Sequence, residues 1–195
     1  MFLSPFIPLE NRPSVDTVET TVEAPRVALR EMQPAEKVKI VCVTGTLKID
    51  RARITGEGIG IVSGPLDQSK AYFEVLVEQD DTRISLGGIG RHPNTVLGEG
   101  WVRLQTVPNT ICLPLKTNFS KNTKIGVFIN LDNFPPTITA FENDLEIGSI
   151  SSCVRGDLWP AIEICGSATI CFNPKLTQNQ ISRGIQPIML SRSII

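Results

Sequence analysis

The stretch A-Y-F-E-V-L-V-E, at residues 71–78, decides the fold class of this chain. Successive side chains of a strand point to opposite faces, so Phe73, Val75 and Val77 would share one apolar face. The stretch K-I-G-V-F-I-N-L, at residues 124–131, alternates in the same way. Such period-two runs predict strands that bury one face in a core. The residues expected in that core are Phe73, Val75, Ile125, Val127, Ile129 and Phe172.

Short runs of β-branched and aromatic residues continue through residues 38–174, with turn residues roughly every ten positions. Asn143-Asp144 tolerates positive φ and predicts a tight hairpin. Gly166-Ser167 is interpreted as the turn between the last two strands, and residues 101–106 as a further strand. No intervening segment has helical periodicity. The pattern predicts an all-β protein, a two-sheet antiparallel sandwich with little helix.

The 195 residues favour a single domain with tails. Residues 1–37 contain five prolines and predict a Pro-rich N-terminal arm. Residues 38–174 would form the domain, and residues 175–195 a C-terminal tail that adds an edge strand or covers the sandwich. Two interpretations of the arm stay open. It is a flexible leader, or it packs on the domain through Phe2, Phe6, Ile7 and Leu9.

Charge and cysteine content exclude several function classes. The net charge is −1 and the Lys and Arg residues are scattered, so nucleic acid is not an expected partner. No apolar run approaches the ~18 residues of a membrane span. The five cysteines are an odd number without a C-x-x-C, and Pro5 and Pro8 interrupt the apolar N-terminus. These features favour a cytoplasmic or nuclear location over secretion.

Five motifs, in order along the chain, resemble those of SPRY domains. They are A-Y-F-E-V (71–75), I-S-L-G-G-I-G (84–90), K-I-G-V-F-I-N-L-D (124–132), T-I-T-A-F-E-N-D-L-E-I-G (137–148), and L-W-P-A-I-E-I with I-C-F-N (158–164 and 170–173). Lys124 and Asp144 depart from the usual Asp and Gly of that pattern. Residues 54–74 are similar to a segment of the small family members that are little more than one SPRY domain. The resemblance implies a concanavalin-like sandwich, a non-catalytic adaptor or scaffold that binds a short peptide or a protein surface through its end loops.

The candidate binding residues lie in predicted loops. Arg51 and Arg53 follow one strand, Arg91 and His92 follow another, and the next connection delivers Trp101. If these loops meet, they form a cationic rim around an aromatic anchor, which suits an acidic or amide-rich peptide.

No catalytic residue, cofactor, metal or small-molecule substrate is expected. His92 is the sole histidine and has no metal-ligand spacing around it. The glycines of residues 56–60 resemble a dinucleotide loop, but Pro65 denies the helix such a loop needs, so they predict close strand packing instead.

Two alternatives remain open from the sequence. Concanavalin-type sandwiches often hold sugars, so a lectin-like carbohydrate-binding function is the first. A cysteine hydrolase, using Cys112, Cys153 or Cys171, is the second.

Overall fold

The computed structural model describes residues 31–33, 38–92, 103–115 and 118–192. They include one short helix, α1 (Gln178–Ser182), and a 3-10 turn at Leu104–Thr106. The strands are β1 (Glu31–Gln33), β2 (Ile40–Val43), β3 (Lys48–Asp50), β4 (Arg53–Val62), β5 (Lys70–Val77), β6 (Arg83–Ile89), β7 (Thr110–Pro114), β8 (Lys124–Asn130), β9 (Thr137–Glu142), β10 (Leu145–Ser151), β11 (Trp159–Cys171), β12 (Gln186–Pro187) and β13 (Leu190–Arg192).

The main strands form two antiparallel sheets that share β4 and β11. The first sheet has the order β7-β6-β11-β4-β2, and the second has the order β10-β9-β8-β5-β11-β4-β3. Residues 159–165 of β11 pair with β6, and residues 168–171 pair with β5. The predicted sandwich of two antiparallel sheets with little helix is confirmed.

Two facing glycines let the shared strands pass from one sheet to the other. Gly166 of β11 lies opposite Gly56 of β4, with φ of 138° and 117°. Only glycine adopts such backbone angles without strain, so both strands bend at the same ladder position. The predicted turn at Gly166-Ser167 is therefore wrong, because this glycine bends one continuous strand. At Gly58 a β-carbon would lie 1.9 Å from the backbone oxygen of Thr44, which is the close packing expected of these glycines.

The main core lies between the two sheets. All six residues that the alternating pattern assigned to it are buried, with exposed fractions between 0% and 7%. Phe73 and Phe172 meet there with ring centroids 6.2 Å apart. The predicted hairpin is also confirmed, since Asn143 and Asp144 both have positive φ and join β9 to β10.

Residues 103–106 do not form the predicted strand. Arg103 is extended, and Leu104–Thr106 is the 3-10 turn, with Leu104 completely buried. A strand here would need a neighbouring strand to accept its backbone hydrogen bonds. The turn instead lets Leu104 pack on the outer face of the first sheet.

The C-terminal segment packs on the domain. β12 pairs in parallel with Ala71 and Tyr72 of β5, beyond the point where β11 stops pairing with that strand. Ile185 and Ile188 are buried, and β13 pairs with β1. Residues 1–30 lie outside the described residues, and with them the predicted arm contacts. No helix within the described ranges has the length and apolar character to cross a membrane.

Candidate functional site

The outer face of the first sheet is apolar and is covered by the chain itself. Ile59 and Ile61 of β4 and Ile89 of β6 point away from the main core. Leu104 and Val107, from the connection between β6 and β7, pack against them and form a second, smaller core. Residues next to Leu104 in the chain are therefore held in place by the packing of Leu104 on this face.

A pocket of about 230 Å³ opens at that margin. It lies where β6, β11 and the 3-10 turn meet, near the bend of β11. Its polar lining consists of Arg83, Ser85, Arg103, Gln105, Glu163 and Cys165, and Pro114 and Leu115 contribute an apolar wall.

Glu163 organises the pocket from below. This carboxylate is buried, with 7% exposed, and its neighbours in β11, Ile162 and Ile164, are apolar. One of its oxygens accepts a hydrogen bond from Arg103 Nη1 at 2.9 Å, and the other accepts one from the backbone N–H of Leu104 at 2.8 Å. Arg103 Nη2 also reaches Glu57 Oε1 at 3.3 Å. Two carboxylates thus fix and neutralise the Arg103 guanidinium, and fix the turn that follows it.

Arg83 is the contrasting cation of the pocket. It is exposed, and its Nη2 donates a hydrogen bond to Cys165 Sγ at 3.2 Å. That hydrogen bond raises the pKa of Arg83. Among the ion pairs of the described residues, none joins a carboxylate to Arg83. Glu57 and Glu163 lie close enough to interact with its charge, and its remaining donors are available to a ligand.

The two cysteines nearest the pocket, Cys112 and Cys165, are free thiols. The partner of Cys165 is a guanidinium, which stays protonated and cannot accept a proton. Burial, with a smaller contribution from the charge of Glu163, raises the pKa of Cys112 to about 11, which keeps it a neutral thiol. In the described part of the chain, no group of three or more His, Cys, Asp or Glu side chains could hold a metal ion. The geometry of the pocket is suited to binding.

Comparisons with known proteins place the fold. The NHR1 domain of neuralized from Drosophila melanogaster matches with a TM-score of 0.54 and 16% sequence identity, over 71% of this chain and 98% of that domain. A human SPRY domain matches with a TM-score of 0.47 and 16% identity, over 68% of this chain and 98% of the other. No protein-family model matches the sequence. A search of the curated proteins finds no match either.

The fold is a SPRY/NHR-type β-sandwich. The motifs that resemble SPRY domains fall on β5, β6, β8, the β9–β10 hairpin and β11 of this SPRY/NHR sandwich. The resemblance is confirmed at the level of the fold, and an identity of 16% shows the fold alone.

Two of the predicted binding residues lie near the start of β4 in this SPRY/NHR sandwich. Arg51 is in the turn between β3 and β4, with φ of 56°. Arg53 lies opposite Thr169 of β11, and its Nε is 2.5 Å from Glu78 Oε2. The charge of Arg53 is therefore paired within the protein.

Two others lie at the far end of β11. Arg91 and His92 follow β6, whose last residue, Ile89, pairs with Trp159. The His92 ring packs edge-on against the Trp159 ring, with centroids 5.1 Å apart. Trp101 lies outside the described residues.

The single cationic rim expected from the sequence is not formed by these residues. Arg53 pairs with residue 169 and Ile89 with residue 159, so ten residues of β11 separate the two groups. At about 3.3 Å per strand residue, this corresponds to as much as ~33 Å. The two loops follow β3 and β6, which run in opposite directions, because β3 is antiparallel to β4 and both β4 and β6 are antiparallel to β11.

The pocket residues Arg83, Arg103 and Glu163 were not found by sequence reasoning. Glu163 carried a usable signal, because a carboxylate in the middle of L-W-P-A-I-E-I-C needs a partner if the strand is buried. Arg83 and Arg103 carried none, since both are ordinary charged residues in the sequence.

Proposed function

We propose that this domain is a non-catalytic protein-interaction module, of the adaptor or scaffold kind, that binds a short segment of another protein in the pocket of Arg83 and Arg103. One observation carries the proposal. The exposed Arg83 guanidinium, without an ion-pair partner among the described residues, stands beside a rigid and neutralised Arg103–Glu163 pair. An arginine fork of this kind can bind a carboxylate through two parallel hydrogen bonds.

The chemistry around Arg83 favours a segment with an acidic side chain next to an apolar one. Ser85 and Gln105 add hydrogen-bonding groups, while Pro114 and Leu115 form the apolar wall. Arg103 orients the site but attracts an anion weakly, because Glu163 and Glu57 compensate its charge. The SPRY-like fold supports a protein partner in general terms.

Two finer parts of the proposal rest on the sequence alone. The likeness of residues 54–74 to the small SPRY domain-containing protein seven supports kinship with such single-domain proteins. The odd number of cysteines supports a cytoplasmic or nuclear setting.

Selection of random peptides displayed on phage, with the full chain as bait, tests the function. We expect the selected peptides to share an Asp or Glu position. Their affinity should fall roughly tenfold or more in Arg83→Ala, because a charge-assisted hydrogen bond is worth about 1.5–3 kcal/mol. Arg83→Lys should recover only part of it, since lysine lacks the fork.

Arg155→Ala is the matched control, because Arg155 is also an exposed arginine but lies outside the pocket. Peptides that bind Arg83→Ala as well as the wild type would refute the site. If a glycan array rather than the peptide library yields ligands, the lectin-like alternative replaces the proposal.

A further inference from the structure

The outer face of the second sheet carries aromatic side chains. Tyr72 of β5 pairs with Phe128 of β8, and Gly126 of β8 pairs with Phe141 of β9. Alternate residues of β8, Ile125, Val127 and Ile129, point into the main core. Tyr72, Phe128 and Phe141 therefore point outward, on a face that is normally polar in an antiparallel sheet.

A groove of about 340 Å³ lies against two of these rings, Tyr72 and Phe141. Tyr72 and Phe141 line its floor, and Ile185 lines one wall. Gly126 makes room for the floor, because a β-carbon there would lie 2.2 Å from the Tyr72 hydroxyl oxygen. That hydroxyl donates to Glu74 Oε1 at 3.4 Å, so the ring is held in place.

The C-terminal segment covers part of this face, since Tyr72 is 2% exposed whereas Phe141 is half-buried. On one side of the groove stands α1, a helix of five residues, and on the other the β9–β10 hairpin contributes Asp144. Apolar surface continues onto both sides, since Ile181 of α1 is 52% exposed and Leu145 of β10 is 74% exposed. By contrast, Leu104 and Val107 close the apolar outer face of the first sheet.

We propose that residues 2–9 of the same chain, F-L-S-P-F-I-P-L, occupy this groove. The segment contains five large apolar side chains and no charged one. The groove has an aromatic floor and two lining charges of opposite sign, Asp144 and Arg183. Its other polar lining residues, Thr177, Asn179 and Gln180, are uncharged and can bond the backbone of the segment. Prolines at positions 5 and 8 restrict the backbone, so less conformational entropy is lost on docking.

The length of the chain allows this docking. The described chain begins at Glu31 of β1, which pairs with Arg192 of β13. Arg192 is seven residues from Ile185 in the groove wall, a distance of at most ~24 Å. The 22 residue-to-residue steps from position 9 to position 31 span up to ~73 Å when extended, so the tether reaches the groove. A covalent tether of this length gives the segment an effective concentration on the order of millimolar.

A photo-crosslinking experiment on the full chain tests the proposal. The photoreactive amino acid p-benzoylphenylalanine replaces Phe6, the sample is irradiated at low concentration, and the monomer fraction is mapped by peptide mass spectrometry. We expect crosslinks to peptides that contain Phe141 or residues 178–185. Phe141→Ser should lower their yield roughly tenfold, because it removes half of the aromatic floor.

Phe134→Ser is the matched control, since Phe134 is 93% exposed in the β8–β9 connection and does not line the groove. It should leave the crosslink yield unchanged. Thermal unfolding of both variants verifies that they are folded. Should Phe141→Ser fail to fold, Ile181→Ser and Leu145→Ser, both at exposed positions, test the same surface together.

Three outcomes would overturn the proposal. They are the absence of crosslinks in the monomer, crosslinks at the same yield in Phe141→Ser, and crosslinks to the groove that occur only in covalent dimers. The last outcome would assign the groove to the arm of a second copy. None of these outcomes depends on the Arg83 pocket, so the two proposals fail separately.

Discussion

The two outer faces of the sandwich have similar apolar side chains but are covered to different extents. Both carry large apolar side chains, Ile59 and Ile61 on the first sheet and Tyr72 and Phe141 on the second. On the first, the connection between β6 and β7 brings Leu104 onto the face and seals it. On the second, a two-residue turn joins β9 to β10, and the C-terminal segment covers Tyr72, which is 2% exposed, but leaves Phe141 half-buried. The segment of chain that crosses a face decides how much of that face becomes core and how much remains a groove.

The largest expected effect separates the sealed face from the open one. Leu104→Ala should lower the free energy of unfolding by about 2–5 kcal/mol, because it leaves a cavity in the second core. Leu145→Ala, on the open side with 74% of the side chain exposed, should change it by less than about 0.5 kcal/mol. Urea denaturation measures both variants. Equal midpoints would show that Leu104 does not hold the cover in place.

A second effect concerns the floor of the groove. Burial, with a smaller contribution from Glu74, raises the pKa of Tyr72 from its usual value of 10.0 to about 12. Between these pH values the unfolded chain releases a proton that the folded chain keeps. The free energy of unfolding should therefore fall as the pH rises from 10 to 12, by up to about 3 kcal/mol.

Tyr72→Phe isolates the contribution of this hydroxyl to the pH dependence of stability, because it keeps the ring and removes the ionisable group. The difference in stability between wild type and variant should depend on pH only in that window. Tyr72 is the sole tyrosine of the chain, so the ultraviolet absorbance of tyrosinate reports its titration directly. A midpoint near 10 in the folded protein would mean that water reaches the hydroxyl freely.

The smallest expected effect concerns the contacts of Glu163 that hold the 3-10 turn on the first sheet. Glu163→Gln keeps the side-chain shape but loses the charge that holds Arg103 and the Leu104 N–H. We expect a loss of about 1–2 kcal/mol in the free energy of unfolding. A double-mutant cycle with Arg103→Gln measures the coupling. Additive effects of the two substitutions would show that the pair does not stabilise the turn.

The sequence predicted the fold where the signal is local. Alternation in β5 and β8 identified the buried residues, and Asn143-Asp144 identified the hairpin, because each depends only on neighbouring residues. The sequence misled at Gly166, where a positive φ has the same local signature in a turn and in a bent strand. Only the pairing with Gly56 distinguishes the two.

The candidate site could not be predicted in the same way. Arg83, Arg103 and Glu163 come from three segments that are far apart in the chain, and they meet because β6 and β11 pair in a particular register. Single-sequence patterns carry no information on that register. Arg53 and His92 were grouped because both were expected in end loops, and the direction of each strand separated them.

The sharing of β4 and β11 by both sheets also bears on how the domain opens. Their ladder runs from Ala161 opposite Ile61 to Thr169 opposite Arg53, without a break at the glycines. A fluctuation that detaches either sheet must therefore rupture hydrogen bonds that belong to the other sheet as well. Amides along the whole of this ladder should exchange with deuterium only through global unfolding, as a single cooperative unit, while the short strands β12 and β13 exchange through smaller local openings.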